Sequence, residues 1–187
     1  MVNRFRRADP LRNALHPRTV RTTFAPVAHR TVAGPIARVV LAKSEHVLVE
    51  CVPAPPALVR AFYSDLDALR AVHPLIESVH LLRQRQGAAG LERTHRVRDR
   101  IPFGPVTLPV TYTARVTVPA AGDVVTAARQ FPGVRLDGVV SFEAGDGGTR
   151  LTERLGVTAP RPLAGITVRR AVAAHAAMLA GIRAHFC

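Results

Sequence analysis

Tryptophan is absent from this sequence, tyrosine and cysteine occur twice each, and Lys43 is the sole lysine. So few flat rings leave no stacking platform of the kind that binds single-stranded nucleic acid. Cys51 lies in a strand-like run and Cys187 ends the chain. They supply neither a disulfide framework nor a metal-binding pair, and the chain reads as cytoplasmic. No stretch approaches the ~20 uninterrupted apolar residues of a membrane span. No apolar run with a small-residue cleavage site follows the basic N-terminus, so a secretory signal is not expected. There is no Gly-rich phosphate loop between a strand and a helix, and no serine in a nucleophile-elbow pattern. The eight histidines are too scattered for a metal site. No metal and no cofactor are therefore expected.

Acids are also scarce: 13 against 26 Lys and Arg, for a net charge of +13. Such a balance invites a nucleic-acid partner, so its distribution matters. Residues 1–43 hold nine basic groups against Asp9 alone, whereas residues 44–187 hold 17 arginines against 12 acids. The excess is concentrated in an arm, and no nucleic acid is expected as a partner. Residues 1–43 carry Pro10, Pro17, Pro26 and Pro35 without sustained periodicity, and read as an N-terminal arm without a core. A disordered tail, an early start codon and a strap packed on the domain remain open for it.

What is present is a chain of 187 residues, 48% apolar, enough for one domain with a proper core over 44–187. His46–Val52 is β-branched and ended by Pro53, which makes a strand. Pro55 and Pro56 open a helix over Ala57–Tyr63, with Leu58, Ala61 and Phe62 as its buried side. Ser64 or Asp65 caps a second short helix through Val72, and His73-Pro74 ends it. Strand-like runs follow over Ile76–Arg83, Leu91–Ile101, Val106–Val118, Asp123–Phe131, Val134–Glu143 and Thr149–Thr158. The last two are joined by Asp146-Gly147-Gly148, a hairpin signal. A helix over about Pro162 to Phe186 closes the chain. Its apolar stripe is Val168, Val172, Leu179, Ile182 and Phe186, with His175 in the middle. Consecutive hairpins with segregated helices give an α+β class.

This order resembles the START-like, helix-grip superfamily, the group of aromatic polyketide cyclases and dehydrases, lipid-transfer domains and plant pathogenesis-related proteins. The resemblance covers roughly residues 44–187. It rests on the paired helices in Pro55-Pro56…Phe62-Tyr63-Ser64-Asp65…His73-Pro74, the hairpins closing on Gly147-Gly148-Thr149-Arg150-Leu151-Thr152-Glu153, and the long final helix. It implies a curved antiparallel sheet of about seven strands around the last helix, with an apolar guest between them. The basic arm departs from the family's usual compact start.

Period 2 decides which strand residues share a face. Glu92, Thr94, Arg96, Arg98 and Arg100 face water; Leu91, Arg93, His95, Val97, Asp99 and Ile101 face the other way. The concave sets elsewhere are Val106, Leu108, Val110, Tyr112, Ala114, Val116 and Val118; Leu136, Val140 and Phe142; and Leu151, Glu153, Leu155 and Val157. Val125, Ala127, Arg129 and Phe131 form a weaker set. His95, Tyr112 and Glu153 thus fall on apolar faces and are the candidate catalytic residues. A buried carboxylate needs a cation, a donor or a proton, and His95, Arg93, Arg129 or Tyr112 is expected to provide it. The candidate ligand-binding set is Phe62, His73, Val97, Leu108, Val110, Ala114, Phe131, Val140, Phe142, Leu155, Val172, His175 and Leu179. Asp99 is expected at the rim.

Two readings follow. The first is a protein that binds a hydrophobic small molecule such as a lipid, a quinone or a polyketide-like metabolite. The second is a polyketide cyclase or dehydratase that uses cavity His, Glu and Tyr for acid–base catalysis. A carrier calls for polar groups only at the cavity mouth. An enzyme calls for at least two titratable groups deep inside with shifted pKa values.

Overall fold

Alternating apolar and polar residues make the strands, and glycine or proline turns them. A computed structural model describes residues 40–187. Residues 1–39 of the expected arm lie outside the described residues. Leu41, Ala42 and Lys43 already belong to the first strand, β1 (Leu41–Val52). β1 begins before the expected His46 because Leu41 to Glu45 pair with the stretch from Pro160 back to Gly156.

Two helices follow, α1 (Pro56–Ser64) and α2 (Leu66–Arg70). Asp65 Oδ1 accepts the backbone N–H groups of Asp67 and Ala68 at 2.9 and 3.4 Å, which caps α2. The buried side of α1 is Val59 and Tyr63 with Phe62 beside them, while Leu58 and Ala61 are exposed. The expected face was one position out of register.

Then come β2 (Ile76–Gly87), β3 (Gly90–Phe103), β4 (Val106–Pro119), β5 (Val124–Gln130), β6 (Val134–Gly145) and β7 (Gly148–Pro160). β2 continues past Arg83 because Gln84 to Gly87 stay paired with Arg93 to Gly90. Gly147, at φ +81°, takes the left-handed conformation that the β6–β7 turn demands. The seven strands form one antiparallel sheet in the order β1-β7-β6-β5-β4-β3-β2.

The last helix, α3 (Arg161–His185), lies over the sheet, chiefly on β1 and β7. It is long and apolar enough by composition to cross a bilayer, but here it serves as the core helix. Leu179 and Ile182 pack with Leu48, Val52, Val59, Val140 and Leu151 in the solid part of the core. Gly181 brings the helix close to the end of α2. A Cβ at 181 would stand 2.9 Å from Val72 Cβ and 3.0 Å from the Val72 carbonyl.

Candidate active site

The N-terminal half of α3 is set off from the sheet by a cavity of about 250 Å³. Residues Thr167, Arg170, Ala171, Ala174, His175 and Met178 line it, at the spacing of three and four that places side chains on one helix face. The alanines leave the space that a larger side chain would fill. Leu66, Leu69 and His73 close one side, and Ile76, Asp99, Ile101, Tyr112, Ala114, Val116, Leu136 and Leu155 supply the sheet wall.

Three side chains from distant parts of the sequence meet behind this wall. The Tyr63 hydroxyl donates to Glu153 Oε1 at 2.9 Å, and the His175 Nδ1–H donates to the same oxygen at 2.9 Å. Glu153 has no exposed surface, and its Oε2 has no partner among the described residues. Gly138 borders the group: a Cβ there would collide with Thr126 Oγ1 and stand 3.6 Å from Glu153 Oε1.

Charge stabilises this arrangement. Burial alone would raise the Glu153 carboxyl, but the His175 charge and the two donated hydrogen bonds outweigh it and hold the group below its ordinary value. Burial alone would lower His175, yet the Glu153 charge and hydrogen bond, with Asp99 adding to them, raise it. The pair is therefore imidazolium and carboxylate near neutrality. His73, whose ring centroid lies 6.1 Å from that of His175, is pushed down to about 4 by burial and by the His175 charge, and stays neutral. Tyr63 is raised well above its ordinary value by burial and by the Glu153 charge, so it acts only as a donor.

A second acid stands elsewhere on the cavity wall. Asp99 is buried and pushed up to about 6 by desolvation, although the Tyr112 hydroxyl donates to it at 3.3 Å. Tyr112 is itself raised by burial and by the Asp99 charge, and keeps its proton. The cavity thus presents an imidazolium held from behind and a carboxylate close to its own titration point.

No family model matches the chain, and no curated protein matches it. Solved structures do. The Zhui aromatase/cyclase of a Streptomyces species superposes with a TM-score of 0.63 at 18% identity, covering 78% of this chain and 93% of that one. A STAR-related lipid transfer protein from Xanthomonas axonopodis gives 0.54 at 18% identity, over 88% and 98%. Ara h 8.0201 gives 0.50 at 13% identity, over 75% and 97%. This is the helix-grip fold.

Within the helix-grip fold the expected site residues separate clearly. Tyr112, His73, Ala114, Leu155 and His175 line the cavity, and Glu153 stands directly behind His175. His95 is buried elsewhere, near Asp65 and Asp67 of α2 and its cap, with Nδ1 unpartnered. It does not reach Glu153, because β3 and β7 are four strand spacings apart, roughly 19 Å along a flat sheet. Arg93 bonds Gln84 and the Ser64 carbonyl instead, and Arg129 is exposed.

Val97, Val140, Val172, Phe142 and Leu179 belong to the packed core and not to the cavity lining. Phe62 packs against the rings of His185 and Phe186, at centroid distances of 4.3 and 5.6 Å. Leu108 is exposed and Val110 half-buried, both beyond the lining where the β3–β4 hairpin extends past it. Phe131 is 91% exposed in the β5–β6 turn. Asp99, expected at the rim, lies inside. Tyr63, Ala171, Ala174 and Met178 were not anticipated. A 3.6-residue count from His175 would have found the α3 alanines.

Proposed function

We propose that this protein binds an apolar, carbonyl-bearing small molecule of the polyketide type in the cavity and catalyses its cyclisation and dehydration. The observation that carries this reading is His175, an imidazolium fixed on the cavity wall by Glu153 and Tyr63, sharing the cavity with Asp99. Acid–base chemistry works best when the groups titrate near the working pH, and Asp99 at about 6 meets that condition.

In the first step the Asp99 carboxylate removes a proton from a carbon flanked by carbonyls. The resulting enolate carbon attacks a second carbonyl and forms a carbon–carbon bond, and the new alkoxide takes the His175 proton. In the second step neutral His175 removes the next α-proton and Asp99 returns its proton to the departing hydroxyl. Water leaves and both groups regain their starting states. Tyr112 orients Asp99, and Glu153 stabilises the charged form that His175 regains with the α-proton. The two exposed, unpaired cysteines suit a reducing compartment such as the cytoplasm.

Binding without turnover is the second reading, favoured by the preponderance of Leu, Ile, Val and Ala in the lining. A poly-β-ketone thioester analogue separates the two. Wild type should release a cyclised, dehydrated product, and Glu153→Gln and His175→Gln should each slow it by about 10²–10⁴-fold. Equal rates in wild type and both variants would remove catalysis and leave the carrier.

A further inference from the structure

We infer that Arg170 is an anion anchor at the cavity mouth, so that the preferred guest carries a carboxylate at one end. This inference rests on the reading of the cavity as a small-molecule site. It does not depend on turnover.

Arg170 lies on the lining face of α3 between Thr167 and Ala174, whereas its neighbour Arg169 is not on the lining. The other arginine at the cavity, Arg115, points to the outer face of the sheet, where it pairs with Glu92 at 3.9 Å. Arg170 is exposed at the edge of the hollow, and of the two arginines that border the cavity it is the one without a carboxylate partner among the described residues. Among the described residues no carboxylate lies within ion-pair distance of it. None is available on its own element, because the chain has no Asp or Glu after Glu153.

Neutral donors line the same cavity. Gln130 ends β5 and lines the cavity, paired with Val134 beside the β7–α3 junction, and Thr167 lies one turn before Arg170. A planar guanidinium on the same cavity lining as an amide and a hydroxyl suits the two oxygens of a carboxylate. The five residues from Arg170 to His175 rise roughly 7–8 Å along the helix axis. A guest anchored at Arg170 therefore places an atom about one fused ring system away against His175. The chemistry selected is a rigid, apolar ketone with an acid group at the opposite end.

The test uses the full-length protein and displacement of the neutral fluorescent probe N-phenylnaphthylamine. The competitors are an acetylnaphthoic acid, with ketone and carboxylate at opposite ends, and its methyl ester. Wild type should bind the acid at least about tenfold more tightly than the ester, the strength of one charge-assisted contact. Arg170→Gln should abolish that preference with ester affinity unchanged. Arg169→Gln, which removes the same charge from the surface, should keep it. An ester bound as well as the acid by wild type, or a preference that survives Arg170→Gln, would overturn the anchor while leaving the cavity reading intact. Failure of the neutral probe to bind at all would overturn both.

Discussion

The two halves of α3 rest on different ground. From Leu179 onward the helix presses into a filled core with Leu48, Val59 and Leu151. From Ile166 to Met178 it roofs a hollow. The same sheet face, with the same alternation, serves both. The difference lies in side-chain size, because Ala171 and Ala174 stand where the packed half has Leu179 and Ile182. An apolar face is a condition for burial, and only the volumes on it decide whether burial leaves a cavity.

The comparison is tested most severely by truncating one residue type at both ends. Ile182→Ala should lose about 2–5 kcal/mol of unfolding free energy in urea, because a filled site cannot collapse around the loss. Ile166→Ala, at a wall that already borders space, should lose about 1 kcal/mol or less. Equal losses would mean that the two halves are alike. The converse change, Ala174→Leu, should abolish displacement of the fluorescent probe by competitors while leaving the urea midpoint unchanged or raised, as cavity filling does. Ligand binding that survives it would place the guest elsewhere.

Charge distinguishes the halves next. His175 is raised in the folded state, so its contribution is complete below its ordinary value of 6.5 and fades as pH climbs through the folded one. Glu153 is lowered, so its contribution is complete above 4.5 and fades as pH falls through its folded value. The stability gap between wild type and Glu153→Gln should therefore be widest between pH 4.5 and 6.5 and narrow on either side. A gap that stays unchanged from well below pH 4.5 to well above pH 6.5 in chemical denaturation would show that the pair is not charged. In proton-detected titration, Glu153→Gln should lower the His175 pKa, whereas His95, distant from it, should titrate as before. The smallest effect belongs to Phe131→Ser in the β5–β6 turn. It should change stability by less than about 0.5 kcal/mol, and a larger loss would show a contact for this ring outside the described residues.

Much of this fold could be read from the chain. The hairpins, the parity of β3 and β4, the proline-opened helices and the closing amphipathic helix all follow from local pattern, but β5 came out inverted, with Val124 buried and Val125, Arg129 and Phe131 exposed. The site was less legible. Tyr63 and Glu153 are 90 residues apart, and their contact depends on which strands are neighbours, which period 2 does not encode. His95 and His175 look equivalent in sequence, each one polar group on an apolar face. Strand order sends the first under α2, and the packing of α3 on β7 brings the second to the carboxylate. Small residues mislead in another way. Ala171 and Ala174 carry little hydrophobic signal, yet they shape the cavity by what they leave unfilled. Asp99, expected at the rim, is buried on the cavity lining, while Arg98 and Arg100 on either side of it are exposed.

Position 138 shows how far that lesson extends. Glycine there keeps Thr126 and Glu153 seated, so even a single methyl group would disturb the spot from which the His175 charge is governed. A residue with no side chain thereby keeps the room in which Glu153 governs the charge of His175 on the cavity wall. Selection on chemistry in this domain would register as intolerance of bulk at a silent strand position, one layer removed from every group that handles a proton.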